Sequence, residues 1–316
     1  MKLFMYHDYI VMFESLFSER GLSLDRLRTL IEVAKKGSIA AAARGDSSRQ
    51  SLYSRQIKEL EEFFGVELVR RSGRVLVLTK AGDELVRLSK ESLDVLENFK
   101  IRSLNMPYRV TIGAGDSLLS WLAVPVLAEL QRYNSPWIFA LENLRNSEIP
   151  IKLQNMDVDF GIVRTSALTA EGLESRIICS MDYALYIPES LMKKQRIDPE
   201  TDFGQLLEMF PLTTLGSGSG FYRSLKQNCK KYGLNLQVQC ETQSFPSSAR
   251  LLKSGVFMAI LPCMAEKELD AGFIKFTHPV LNSLTRNISL AWNPRLLRVR
   301  PNAQKLINIF SLSKRK

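Results

Sequence analysis

What this sequence has least of narrows its chemistry first. Two histidines, His7 and His278, and four cysteines occur in 316 residues. A Ser-His-Asp hydrolase would have to recruit one of those histidines, yet neither lies near a nucleophile motif and no GxSxG elbow occurs. The thiols Cys179, Cys229, Cys240 and Cys263 show no CxxC pairing and no zinc-finger spacing, so no metal site is expected. Scattered thiols suit a reducing compartment. An oxidant-sensing role has no sequence signal for a lowered thiol pKa beyond Lys230 and Lys231, which follow Cys229. Phosphate cradles are absent too. Gly216 to Gly220 reads GSGSG without the GK[ST] of a P-loop, and Gly113-Ala114-Gly115 lacks the third glycine of a dinucleotide fingerprint. Neither enzymatic activity nor a cofactor is expected.

Long apolar runs are missing as well. The WLAVPVLAEL stretch from Trp121 is broken by Pro125 and Glu129, so no membrane span is expected. The first twenty residues are apolar enough to suggest a leader, but His7, Asp8 and Glu14 interrupt them and no small-residue cleavage site follows. They read as an amphipathic N-terminal extension, 1–23, or as an upstream start, and the cytoplasm is the expected compartment.

What is present is ordinary globular material with an excess of positive charge. Hydrophobic residues make up 45% and charged ones 24%, enough for sizeable cores in two or three domains. Lys plus Arg number 43 against 33 Asp plus Glu, a net +10 that favours a polyanionic partner. Leu24 to Lys80 holds 12 of the cations and 7 of the anions, about half of the net charge. The Lys314-Arg315-Lys316 tail reads as solvated.

The same segment has a definite helical plan. Leu27, Leu30, Ile31 and Ala34 form the stripe of a first amphipathic helix, which Gly37 ends. Ser38 caps a short, small-residue helix, IAAAAR, and Gly45-Asp46 breaks the chain again. A third helix runs from about Arg49 to Phe64, with Ser47 or Ser48 as its cap. Tyr53, Ile57, Leu60 and Phe64 make its buried face; Gln50, Ser51, Ser54, Arg55 and Lys58 lie opposite. Three helices with a tight middle turn are what a helix-turn-helix requires. Val66 to Thr79 then forms a hairpin around Ser72-Gly73, with Arg70, Arg71 and Arg74 making a basic tip. Thr79 caps a helix of roughly 25 residues carrying Leu85, Leu88, Leu93, Leu96 and Phe99, an apolar set suited to pairing with a second copy of itself.

After Pro107 strands and helices alternate. YRVTIGAG, WIFALENL, VDFGIV, PLTTLG and GVFMAILP read as strands between helical segments, which predicts an α/β domain with a parallel sheet, or two lobes with a cleft. Strand-end loops facing helix N-termini suit a small anion. The candidates are Gly115, Asp116 and Ser117; Asn146 and Ser147; Arg164, Thr165 and Ser166; and Gly216, Ser217, Gly218 and Ser219. Arg164 stands out as a cation placed to pair with a carboxylate.

The segment GSIAAAARGDSSRQSLYSRQIKELEEFFGVELVRRSGRVLVLTKAG resembles the DNA-binding domain of LysR-type transcriptional regulators. Its Gly37-Ser38 start, SRQI at Ser54 to Ile57, Gly65-Val66 pair and LTKAG at Leu78 to Gly82 fall in register without gaps. The later VTIGAG, DVDFGIV and LLKSGVFMAILP look like the family's effector domain, so the likeness spans about Leu24 to Trp292. Departures stand at Asp46 and Ser48, where the family is apolar, at Ser51 in place of Pro, and at Arg49 in place of Ser; the turn is therefore expected to pack differently, with Asp46 as a further candidate cap of the third helix.

The resemblance implies a winged helix-turn-helix over 24–80, a linker and dimerisation helix over 81–106, and a two-lobed effector domain like the periplasmic binding proteins over 107–316. The expected function is sequence-specific regulation of transcription, modulated by a small-molecule effector, with an anion as the favoured class. Expected partners are double-stranded DNA, RNA polymerase, and further copies in a homodimer or homotetramer, without a membrane. The DNA-contacting set is Ser38, Arg49, Gln50, Ser51, Tyr53, Ser54, Arg55, Lys58, Arg71 and Arg74. Arginine and glutamine suit guanine and adenine edges, whereas the wing arginines suit phosphate or a narrow minor groove. Two alternatives stand beside this one: a solute-binding protein with a helical association module, and a non-specific architectural DNA binder.

Overall fold

The computed structural model describes residues 13–72, 75–104, 106–132, 136–198, 200–269 and 271–312. Two compact units emerge, Met1–Asn105 and Met106–Lys316. Arg74, Gly73, most of the N-terminal extension and the Lys314-Arg315-Lys316 tail lie outside the described residues.

After a single helical turn at Glu14–Phe17, the first unit continues with α1 (Leu24–Lys36), capped by Ser23. Thr29, Leu30 and Val33 are its buried residues, so the stripe centres on Val33 rather than on Ile31 and Ala34, which are half-buried. Gly37 closes it with φ of 72°, a left-handed turn that an L side chain would strain. The short α2 (Ile39–Ala42) follows, then α3 (Ser47–Phe64). A hairpin of β1 (Val69–Ser72) and β2 (Val75–Leu78) leads to α4 (Lys80–Ser103), which Thr79 caps as expected. Two adjoining cores hold these pieces: Leu30, Leu60 and Leu68 in one, Val33, Ala42 and Ile57 in the other. At Gly82 a Cβ would lie 2.0 Å from the Leu68 carbonyl oxygen. The bare glycine is what lets the first turn of α4 reach the chain just ahead of β1.

The second unit folds as two lobes. In the first lobe β3 (Tyr108–Ala114) pairs in parallel with β4 (Trp137–Asn143) and β5 (Phe160–Arg164). Between β3 and β4 runs α5, in three consecutive segments Asp116–Leu118, Leu119–Ala123 and Val124–Arg132. The middle segment is a wide π turn, set just ahead of Pro125, whose ring nitrogen cannot donate to the helix. The short α6 (Ile149–Gln154) links β4 to β5. Next come β6 (Glu174–Met181) and, after the single residue Asp182, β7 (Tyr183–Pro188), which belongs to the second lobe.

The second lobe continues through α7 (Glu189–Gln195), α8 (Phe203–Met209), β8 (Leu212–Leu215), α9 (Gly220–Lys231), β9 (Val238–Thr242), α10 (Phe245–Lys253), β10 (Met258–Pro262) and β11 (Phe273–Phe276). After α11 (Pro279–Asn282) the chain returns to the first lobe as β12 (Arg286–Trp292), followed by α12 (Arg295–Val299) and α13 (Ala303–Leu312). The strand orders are β4-β3-β5-β12-β6 and β11-β7-β10-β8-β9.

The expected parallel sheet is therefore only partly right. Each lobe has a parallel trio, β4-β3-β5 or β10-β8-β9, extended by antiparallel strands: β12 and β6 in one lobe, β7 and β11 in the other. Strands β6, β7 and β12 bring the chain from one lobe to the other and back.

Candidate nucleic-acid interface and ligand cleft

In α3 the inward face is closed by Ile57 and Leu60. Of the three candidate caps it is Asp46 that caps the helix: its Oδ1 accepts the Arg49 N–H at 3.0 Å, and both serines lie inside the first turn. The aspartate that departs from the family pattern thus has a local structural task. Ser51, Ser54, Arg55 and Lys58 are exposed, as is Arg49, while Gln50 is half-buried. Ser51 donates its hydroxyl to the Ser47 carbonyl at 3.1 Å.

The cations lean on carboxylates one turn away. Arg49 reaches Asp46 at 4.0 Å, Arg55 reaches Glu59 at 3.7 Å and Lys58 reaches Glu62 at 3.5 Å, with side-chain exposures of 58%, 69% and 75%. Such exposed pairs are worth less than about 1 kcal/mol, so phosphates or base edges can replace the carboxylates. Tyr53 is placed differently. Its hydroxyl donates to Glu32 Oε2 at 2.8 Å, tying α3 to α1, and this bond holds the Glu32 carboxyl below its ordinary range while it raises the phenol. Thr29 makes a second tie, donating to Gln56 Oε1 at 2.7 Å. Ser38 is committed to capping α2, accepting the Ala41 N–H at 3.1 Å. In the wing, Arg71 stands opposite Leu76 and Arg70 opposite Val77. Arg74, at the expected tip, lies outside the described residues.

On α4 the predicted apolar stripe divides. Leu85 packs half-buried in the core of the first unit, together with Ala81 and Val86. Leu88, Val95, Leu96 and Phe99 are exposed, Phe99 by 64%. Residues 88, 95 and 99 repeat at seven- and four-residue intervals and so share one face.

The two lobes of the second unit enclose a cavity of about 1050 Å³. Its lining includes Gly115, Asp116, Ser117, Asn146, Ser147, Arg164, Gly218 and Ser219, so eight of the twelve expected effector positions come together. Four do not line it. Thr165 turns back to β12, sharing a 2.7 Å hydrogen bond with Ser289 Oγ. Ser166 is exposed in the short turn beyond β5. Ser217 gives both its backbone N–H and its hydroxyl to Glu241 Oε2, at 3.0 and 3.1 Å, and Gly216 is packed against that same carboxylate.

The sequence reading missed Arg145 and Glu148, next to expected positions, and Phe221, Arg223, Gln243, Ser244, Phe245 and Ser247. Recognising β9 would have supplied the Gln243-Ser244 loop, since it follows a strand end and caps α10. Three helices, α5, α9 and α10, present their N-termini to the cavity, which favours negative charge there. Arg223 donates to the Gly218 carbonyl at 3.2 Å, while Arg164 forms no ion pair among the described residues. Phe221 and Phe245 meet edge to face at 5.0 Å as an apolar wall, with the Tyr183 ring 4.7 Å from the former. Burial pushes the Tyr183 phenol up to about 12, and its hydroxyl has no hydrogen-bond partner among the described residues. Trp121 of α5 donates its indole N–H to Glu268 beyond β10, a polar tie from lobe to lobe.

All four cysteines are free thiols. Cys229 is buried, which pushes its pKa up to about 11, and the two lysines that follow do not reverse this. No group of three or more potential metal-ligating side chains occurs among the described residues, and no helix among them is long and apolar enough to cross a membrane.

Comparison with known proteins agrees in both units. Residues 24–83 match the family described as bacterial regulatory helix-turn-helix protein, lysR family, and residues 107–311 match the LysR substrate binding domain. A probable nitrogen assimilation transcriptional activator of Synechococcus elongatus is 26% identical over 256 residues, covering 76% of this chain and 79% of the relative. A probable RuBisCO transcriptional regulator of Cyanophora paradoxa is 25% identical over 313 residues, covering 93% and 94%. Among solved structures, a full-length OxyR variant from Pseudomonas aeruginosa aligns with a TM-score of 0.63 at 19% identity, over 93% of this chain and 96% of that one. Full-length LysG from Corynebacterium glutamicum, solved with bound effector Arg, aligns at 0.55 and 18% identity over 90% and 99%. At those identities the likeness to solved structures speaks for the fold.

Proposed function

The chain belongs to the LysR family of bacterial helix-turn-helix regulatory proteins, and on that footing we propose that it recognises a specific DNA sequence through α3 and is modulated by a small anionic effector. The observation that carries the DNA reading is the outward face of α3. There Arg49, Ser51, Ser54, Arg55 and Lys58 project on a helix whose other face is locked into the core, with the cations in weak, exchangeable ion pairs. Tyr53 serves as a support for that helix and Ser38 as the cap of the preceding α2, and Arg71 supplies phosphate contacts from the wing. The N-terminal half of such a helix is the part that enters the major groove.

The effector reading rests on the cleft. Helix N-termini and Arg145, Arg164 and Arg223 offer cationic partners to a carboxylate or phosphate, and Phe221 with Phe245 offers an apolar wall. Two copies pair through the exposed face of α4, and RNA polymerase is the partner through which bound protein acts on transcription.

A gel-shift titration tests the DNA reading. Purified protein is run on DNA from upstream of its own gene and on an unrelated duplex, beside Arg55→Ala, at two salt concentrations. The expected result is a preference for the upstream duplex that Arg55→Ala abolishes. Equal, steeply salt-dependent binding to both would favour an architectural binder. Binding to neither would favour a solute-binding protein.

A further inference from the structure

We infer that Leu52 reads the 5-methyl group of thymine in the DNA that α3 contacts, making it a determinant of sequence preference rather than a piece of core. The inference rests on the DNA-binding reading above. In the folded chain Leu52 is 39% exposed and belongs to none of the unit's hydrophobic clusters. Singly exposed apolar residues are common and need no explanation. The place of this one is what counts.

Ser48, Leu52 and Arg55 stand four and three residues apart, so they fall along one outward line in the N-terminal half of α3. Arg49 lies one turn before Leu52. Two of its neighbours on this face, Ser48 and Ser51, are short, and Ser51 turns its hydroxyl back to the Ser47 carbonyl. A leucine between two arginines therefore reaches farther out than the serines beside it. It offers no hydrogen bond, so it cannot read donors or acceptors. Along the major-groove edge of the base pairs, the thymine methyl is the apolar feature, and apolar side chains discriminate through it. Burying one methyl at about 0.8 kcal/mol corresponds to roughly four-fold in affinity.

The test uses the full chain. A randomised duplex pool is selected on the protein, and each fixed thymine in the selected sequence is replaced in turn by deoxyuridine, which removes only the methyl. Fluorescence anisotropy then compares wild type, Leu52→Ala and Leu52→Met. The expected result is that wild type loses about four-fold at one or two positions in each half-site. Leu52→Ala should bind the thymine duplex about that much more weakly and be indifferent to the replacement there, while Leu52→Met keeps the preference. The inference is overturned if wild type binds thymine and deoxyuridine duplexes alike at every position, if Leu52→Ala keeps the full discrimination, or if no thymine is fixed in the selected half-sites. If no sequence emerges from the pool at all, the sequence-specific reading falls and this inference falls with it. Leu52 is outside the core, so circular dichroism of both variants should match wild type.

Discussion

At the scale of single residues, the first unit uses polar side chains for two separate tasks. Asp46, Glu32, Tyr53, Thr29 and Gln56 position α3 against its neighbours, while Arg49, Arg55 and Lys58 remain on its open face. Tyr53→Phe isolates the first task. It removes the bond to Glu32 without changing the ring, so it should cost about 1 kcal/mol of stability at neutral pH. Glu32 has a depressed pKa in the folded chain, caused first by the Tyr53 hydroxyl. Its contribution is therefore present above the ordinary glutamate range and is lost as the pH falls through the lower, folded value. Thermal unfolding should show the gap between wild type and Tyr53→Phe at pH 7 narrowing below about pH 4; a gap of constant size would sink the assignment. The sequence pattern placed Tyr53 on the buried face correctly, because helical spacing reports which way a side chain points. Spacing is silent on a partner 21 residues away, so the Glu32 bond could not be anticipated. Asp46 shows a related limit. Three capping residues stand in a row there, and only the backbone conformation decides that the first of them is the cap.

At the scale of elements, legibility followed local signal. Helices α1 to α3, the hairpin and the Thr79-capped α4 carry strong caps and turn residues, and all were anticipated. Strands β6, β7 and β12 were not. In β6 four exposed residues precede the first buried one, so it shows no clean alternation, and it pairs with a strand more than a hundred residues later. Without β7 and β12 the two lobes were expected only from the strand alternation and the family resemblance, and the strands that cross between them and run antiparallel were not. The loop after β9 was also missed, and with it Ser244 and Phe245 of the cleft; β9 is only five residues long and wholly half-buried or exposed, so its sequence carries little strand signal. Two variants examine the elements themselves. Gly82→Ala would force a Cβ against the Leu68 carbonyl, so the wing and α4 must separate. A loss of about 1–3 kcal/mol is expected by thermal or urea unfolding, and an unchanged transition would show that α4 does not need this close approach. Phe99→Glu puts a charge on the exposed face of α4. Sedimentation should then show a shift toward a smaller species, with weaker DNA binding but an unchanged helical signal. If the mass in solution stays that of wild type, α4 is not the pairing face.

At the scale of the whole molecule, charge and concavity are kept in different units. The segment from Leu24 to Lys80 carries about half of the net +10, while the cavity belongs to the second unit. The proposed function requires the two to be coupled, and coupling is reciprocal: an effector that changes DNA affinity by some factor must have its own affinity changed by the same factor in the presence of DNA. Arg164 is the residue on which this turns. It ends β5, lines the cleft and has no ion-pair partner among the described residues, so an anionic ligand can claim its charge without breaking an existing bridge. Arg164→Ala should therefore leave basal DNA affinity within about two-fold of wild type. What it should remove is any shift in that affinity caused by a panel of carboxylates and phosphate esters at millimolar concentration. Arg55→Ala should behave in the opposite way, losing DNA while keeping ligand-induced thermal stabilisation of the second unit. If Arg164→Ala instead responds to the same compounds with the same shift as wild type, the anion does not sit at the end of β5, and the lobe-two arginine, Arg223, becomes the place to look.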